Sequence, residues 1–284
     1  GASRDLQLAS IIIVGIEEGF FAEEGIEADV QLMPSGSDVA AAVAGGSLSI
    51  ASLGDAPTSV LLQSGTEIDI IAHQSNIAGA QSMIVHPDRI QTPQDLNGMK
   101  VAYSSGNTSE LLFLSIVDKY GLDVDSMEIY KMGATEMLTA FEKKDVDAIV
   151  IWEPVANSAV KLGGYRLVSG TTSYVPGEEG AQKLIGAHSI LLASKKFAQK
   201  NPNTVKAILR AMNKTVKFMD ENIEAAAAHT SAALQMELAD AIEIMQLNDY
   251  FLTITPEIIE DIQVSAQFLL DNGKINQIPD FNQI

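Results

Sequence analysis

The sequence predicts an α/β fold built as two lobes. Apolar runs of strand length alternate with helical patterns and glycine-bearing turns through the first two-thirds of the chain, while the last third reads as helix. At 284 residues the chain exceeds the roughly 100–200 residues of one ordinary compact unit, a length that suits two compact lobes, the preferred reading, or one large α/β unit.

Taken in order, Ser10 is placed to cap a helix through Ile12, Ile16 and Phe20 that Gly25 ends, and a strand is expected from Ile26 to Leu32. A helix from Ser37 to Ala44 stops at Gly45 and Gly46; the strand Leu48 to Leu53 follows, and Asp55, Ala56 and Pro57 open the next helix. Strands at Ile68 to His73 and Met83 to Val85 precede a proline-started turn at Thr92 to Asp95. The strand Lys100 to Tyr103, the turn Ser104 to Ser109 and a helix from Leu111 to Tyr120 start a second βα series. It continues through the strand Glu128 to Lys131, the helix Ala134 to Lys143 and the strand Ala148 to Ile151, with a new helix near Glu153 and Pro154. The apolar stretch Ile185 to Ala193 leads into a tail read as wholly helical, at Asn203 to Asp220, Ile223 to Ala233, Leu238 to Leu247 and Pro256 to Asn272. A lobe of this kind normally opens on a strand, yet Gly1 to Ser10 alternates only at Leu6 and Leu8, so the opening strand is expected to be missing or irregular.

Composition narrows the function. With 18 basic against 37 acidic residues the formal charge is −19, which repels nucleic acid and anionic bilayers. The chain has no cysteine, so disulfides, thiolate metal sites and a cysteine nucleophile are excluded. No apolar run approaches the roughly 20 residues that span a bilayer. There is no basic-then-apolar leader, so any export signal is expected to have been removed before Gly1.

His73, His86, His188 and His229 lie far apart without metal-ligand spacing, and no nucleophile elbow, P-loop or G-x-G-x-x-G is present. No cofactor and no metal is therefore expected. What remains are turns that join a strand end to a helix start: Gly54 and Asp55, then Ser105, Gly106, Asn107, Thr108 and Ser109. Backbone N–H groups at a helix start have no intrahelical partner and carry the positive end of the dipole, so either turn can cradle a sulfonate, phosphate or carboxylate. Taken alone, each turn is better explained by ordinary capping by Ser, Thr or Asp; the occurrence of one in each of two lobes shifts the balance towards a ligand. Hydroxyls of Ser105, Thr108 and Ser109 would add donors. The third turn is Trp152, Glu153 and Pro154, where the chain's one indole can cover a small ligand and Glu153 can receive an ammonium or merely favour a helix start. His188, next to Ser189, is a further contact candidate, although a lone histidine there is more often structural.

The segments Glu18 to Ile26 (EGFFAEEGI), Gly36 to Val39 (GSDV), Leu53 to Pro57 (LGDAP), Leu96 to Ser109, Lys144 to Ala148 (KDVDA) and Trp152 to Pro154 (WEP) occur in one consistent order. In that order the sequence resembles the solute-binding proteins of the nitrate/sulfonate/taurine ABC importers, over almost the whole chain. The resemblance implies a type II periplasmic binding protein fold, two doubly wound lobes joined by a two-crossover hinge, with residues 1–84 and 190–284 forming one lobe and 85–189 the other. It further implies a monomer that captures a small anionic solute, most simply a sulfonate such as taurine or an alkanesulfonate, in an interlobe cleft and delivers it to an importer permease. The location implied is periplasmic or otherwise extracytoplasmic, with or without a lipid anchor. Carried over residue by residue, Gly54 and Asp55 match the ligand loop of the first lobe, Ser105 to Ser109 the anion loop of the second, and Trp152 with Glu153 the aromatic-bearing turn. In a taurine-type member a carboxylate should meet the amine; none is close in sequence to His188 and Ser189, which leaves Glu153 or Asp55. Rival readings are an enzyme on the same fold, like the similar thiamine-pyrimidine synthases, whose cysteine-rich motif is missing here, and a binder of a heterocycle or aromatic acid stacked on Tyr103 or Tyr174.

Overall fold

The computed structural model describes residues 1–105 and 108–281, and the chain divides into two units, Gly1–Ile77 with Ala187–Ile284, and Ala78–Gly186. The first unit starts with β1 (Ala2–Ser3), α1 (Leu6–Glu17), α2 (Phe20–Glu23), β2 (Leu32–Met33), α3 (Gly36–Ala44), β3 (Ile50–Gly54), α4 (Asp55–Gln63) and β4 (Ile68–Asn76). The second holds β5 (Gln81–Val85), β6 (Lys100–Tyr103), α5 (Thr108–Tyr120), β7 (Glu128–Lys131), α6 (Ala134–Glu142), β8 (Ala148–Trp152), α7 (Val155–Lys161), β9 (Tyr165–Ser169), β10 (Thr172–Ser173) and β11 (Gly180–Ala181). The chain returns through β12 (His188–Ser194) to α8 (Lys195–Lys200), α9 (Pro202–Glu221), α10 (Ile223–Leu234), α11 (Leu238–Met245), β13 (Asp249–Thr253) and α12 (Pro256–Asp271).

Each unit is organised on one sheet. In the first the order is β13-β4-β12-β3-β1-β2, with β12 antiparallel to both β3 and β4. The register sets Ser189 opposite Gly54, and both His188 and Asp249 opposite Asn76. The ends of β3 and β4 and the starts of β12 and β13 therefore share one end of the sheet. In the second unit the order is β11-β10-β9-β5-β8-β6-β7; β6 runs parallel to β7 and β8, and β5 antiparallel to β8 and β9. The ends of β6, β8 and β9 thus meet the start of β5, where Gln81 faces Trp152. Helix starts follow directly at these sheet ends, which is where open α/β sheets hold ligands.

Both sheets are covered on two faces. Ile190 packs with Ile258, Ile262 and Leu269 of α12, whereas the next residue, Leu191, packs with Leu6, Val14, Met212 and Ile244. That two-residue alternation is the mark of a strand buried between helices. In the second unit Ile84, Ile149 and Ile151 pack under Met137 and Phe141 of α6.

The structure corrects several expectations. The opening strand exists but is only two residues long, pairing Ala2 with Leu32 and with Ser52. It stops there because Asp5, not Ser10, caps α1 by accepting the Leu8 N–H at 2.8 Å. Leu6 and Leu8 belong to the helix, and the Ser10 hydroxyl donates to Leu6 O inside it. The strand expected at Ile26 to Leu32 shrinks to Leu32–Met33. The wholly helical tail is interrupted by β13, which gains an edge position beside β4 that no local pattern announces. Strands β9 to β11 and helix α8 were not anticipated either. The crossings fall at 77/78 and 186/187, against the 84/85 and 189/190 expected. Gln81–Val85 is central in the second sheet and His188–Ser189 is paired in the first, so ladder hydrogen bonding assigns both segments.

Candidate functional site

In the first unit the strand-to-helix turn is at Gly54, whose backbone stays extended (φ −70°, ψ 164°) before α4 begins at Asp55. The Thr58 hydroxyl donates to Gly54 O at 2.8 Å and the Ser59 hydroxyl to Asp55 O at 2.9 Å, fixing the first turn. Asp55 is 1% exposed and accepts the Ala56 N–H at 2.9 Å. Burial pushes its carboxyl up to about 6, partly offset by His188, the Ala56 N–H and Ser265. His188 is buried as well, and its Nε2 donates to Asp261 Oδ2 of α12 at 3.0 Å. No carboxylate is near His188 in sequence, but the fold brings Asp261 to it from 73 residues away. Asp55, a candidate to meet an amine, instead has its buried side chain among His188 and groups of α12.

Behind this lies a polar seam in the sheet. Gln74, at an irregularity of β4, donates from Nε2 to the hydroxyls of Ser189, at 2.7 Å, and Ser52. His73 is fully buried with no partner on either ring nitrogen, its ring 6.3 Å from that of His188. Burial lowers its pKa to about 4, so it is neutral at ordinary pH. Sequence reasoning singled out none of Gln74, Asp261 or Ser265. Only their three-dimensional neighbours distinguish them from other polar residues.

In the second unit, β6 leads into α5 through the expected turn, of which Gly106 and Asn107 lie outside the described residues. Thr108 is half-buried at the first helical position. The Ser109 hydroxyl donates to Ser104 O at 3.1 Å and accepts the Ser104 N–H at 3.2 Å. Ser105 donates at 3.1 Å to the buried Glu110 carboxylate, which also meets Lys131 at 3.5 Å. These two hydroxyls, expected as donors to an anion, bond Glu110 and the Ser104 backbone. Tyr103 is buried and stacked on Phe113, centroids 5.0 Å apart, so its ring is not a platform for a heterocycle. Burial, and then Glu110, push its hydroxyl up to about 12.

The Trp152 turn follows β8. Trp152 is half-buried and leans on the cluster containing Phe141 and Ala156. Glu153 is 0% exposed. Its Oε1 lies 2.6 Å from Arg166 Nη2, its Oε2 accepts the Asn157 N–H at 2.8 Å, and its own N–H donates to Ala80 O at 3.0 Å. Expected as a candidate to receive a ligand ammonium, Glu153 has each carboxylate oxygen bonded within the protein, partners without which a buried carboxylate would be costly. Arg166, missed in the sequence because it lies 13 residues on in an unrecognised strand, also donates to Ser82 of β5. Among the described residues no group of three His, Cys, Asp or Glu is placed to hold a metal, and no helix is long and apolar enough to cross a membrane.

Two doubly covered α/β sheets, each with strand-to-helix turns at one end and linked by two chain passages, form the type II periplasmic binding protein fold. Residues 9–226 match the NMT1/THI5-like family, and the chain belongs to it. It is 26% identical over 192 residues to the taurine-binding periplasmic protein of Escherichia coli (strain K12), a match covering 68% of this chain and 57% of that protein's length. The structure superposes on the periplasmic aliphatic sulphonate binding protein SsuA of Escherichia coli with a TM-score of 0.83 at 19% identity, covering 100% of this chain and 89% of the other. The fold is also that of DSZB in complex with biphenyl-2-sulfinic acid, with a TM-score of 0.76 at 16% identity over 99% of this chain and 94% of the other. DSZB is a desulfurization enzyme.

Proposed function

We propose that this chain is the extracytoplasmic solute-capturing component of an ABC importer, acting as a monomer, and that its solute is a small sulfonate such as taurine or an alkanesulfonate. The contacts proposed are the Gly54 turn of the first unit and, in the second, the turn ending at Thr108 and Ser109 and the turn bearing Trp152. The observation that carries this reading is the repeated placement of helix starts at strand ends: α4 after β3, α5 after β6 and α7 after β8. Such starts offer N–H donors and dipole to an anion without a fixed cation. Neither Gly54–Asp55 nor Ser105–Ser109 contains Arg or Lys. Neutral donors hold an anion and also release it, as delivery to a permease requires.

Capture rather than chemistry is the better reading of these side chains. DSZB was crystallised with a cysteine replaced by serine, whereas this chain has no cysteine. The buried histidines hold no hydroxyl as a nucleophile: His188 bonds Asp261 through Nε2 and has no partner on Nδ1, His73 is unpartnered on both ring nitrogens, and His86 bonds the Phe141 carbonyl. Taurine and aliphatic sulfonates are what the named relatives bind, which supports the solute class.

Thermal unfolding of refolded, ligand-stripped protein against taurine, alkanesulfonates, nitrate and a pyrimidine tests the proposal. Ligand at 1,000 times Kd stabilises by about 4 kcal/mol, a rise of several degrees at this size. A rise with a sulfonate is expected. A rise confined to the pyrimidine overturns the solute class, and no rise with any of them overturns the reading.

A further inference from the structure

Arg166 lies in β9, its guanidinium bonds one group on each of two other chain segments, and no charged group except Glu153 is bonded to it among the interactions described. One Nη reaches Glu153 at the end of β8 and the other the Ser82 hydroxyl of β5. Glu153 in turn accepts the Asn157 N–H of α7 and donates its own N–H to Ala80 O. The guanidinium side chain is 12% exposed and the carboxylate 0%, so solvent screens the pair little. Trp152 is bonded directly to this fixed point through the chain. Its ring is half-buried, leaning on side chains of the α6 and α7 layer.

We infer that Arg166 is a positioning residue for ligand: through Glu153 it fixes the backbone at the end of β8 and the start of α7, and so sets where the Trp152 indole stands. This rests on the proposal that the Trp152 turn contacts the solute. The physical case is that a planar guanidinium donates in two set directions at once, here to a carboxylate and a hydroxyl on two neighbouring strands. A lysine offers a point charge and cannot reproduce both directions. The pair is weak evidence for stability, because a buried ion pair can be replaced by neutral groups at little net cost. Its contribution on this argument is geometric.

Because Trp152 is the only tryptophan, its emission reports on the turn directly. Arg166→Gln, Arg166→Lys, the double change Glu153→Gln with Arg166→Gln, and Trp152→Phe are compared with the unaltered protein. The readouts are emission maximum, acrylamide quenching, and taurine and ethanesulfonate affinity by calorimetry. Arg166→Gln is expected to shift and expose the indole and to weaken binding by about 10- to 100-fold, the scale of losing a partner that orients a ligand-contacting group. Arg166→Lys should recover only part of both. If Arg166→Gln does not fold, the double variant, which leaves no unpaired buried charge, carries the test with the same expectation. Unaltered emission and affinity in whichever variant folds, even with a lowered Tm, overturns the inference. Trp152→Phe separates the two claims: if it binds as the unaltered protein does, the proposed contact fails, while a shifted emission in the arginine variants still upholds the positioning of the turn.

Discussion

Replacing Asp55 by Asn should make the protein less sensitive to rising pH. The carboxyl is fully buried and held at about 6, against an ordinary value of 3.8. The folded state therefore keeps a proton that the unfolded chain releases. Below about pH 4 both states are protonated and Asp55 costs nothing; as pH climbs from there to about 6 the unfolded state gains, and above 6 the full penalty is present. A gap of about 2 pKa units corresponds to about 3 kcal/mol. In Asn the side-chain oxygen still accepts the Ala56 N–H, while the new amide N–H brings a cost that does not vary with pH. The diagnostic quantity is accordingly the slope. Urea unfolding of both proteins at pH 4, 6 and 8 should show the variant gaining about 3 kcal/mol relative to the parent between the first and last. A stability difference that is the same at all three values would refute a carboxyl raised by burial in the fold.

Other outcomes follow from the same geometry. His73→Leu should flatten the acid side of the stability curve, because a buried imidazole held near 4 loses stability as pH falls below its ordinary 6.5; unfolding at pH 5 and 7 checks this. Gly170→Ala should destabilise by roughly 1–3 kcal/mol, since its Cβ would stand 2.4 Å from Ala78 O, a backbone atom; a shifted urea midpoint with unchanged slope is the signature. Trp152→Ala should weaken sulfonate binding about tenfold or more while unfolding stays cooperative, and Thr108→Trp should abolish it, both read by calorimetry. Unchanged affinity in both would remove these turns from the site.

The fold was readable from the sequence where local pattern and tertiary environment agree. The strands Lys100–Tyr103 and Glu128–Lys131 appear with the bounds expected, and the run Ala148–Ile151 only gains Trp152. The helix starts expected at Ser37, Asn203 and Pro256 fall within one residue of those found, at Gly36, Pro202 and Pro256, because capping and proline geometry act within one turn. What failed was long-range. β13 exists because β4 has a free edge beside it, β1 because Leu32 and Ser52 flank it, and neither condition is written near the segment itself.

The same division runs through the site. The sequence by itself determined the family, the alternation of strands with helices, and the turns at Gly54, Thr108 and Trp152, since each depends on residues adjacent in the chain. Only the tertiary structure decided what the side chains at those turns do. Glu153 became half of a buried pair because β9 sets Arg166 against it, and His188 found Asp261 because α12 packs over the sheet. Ser105 bonded Glu110 of α5, and Ser109 the Ser104 backbone. The physical reason is that a buried polar group must find a partner wherever the fold provides one, and partners 5, 13 or 73 residues away carry no common spacing for a sequence to display.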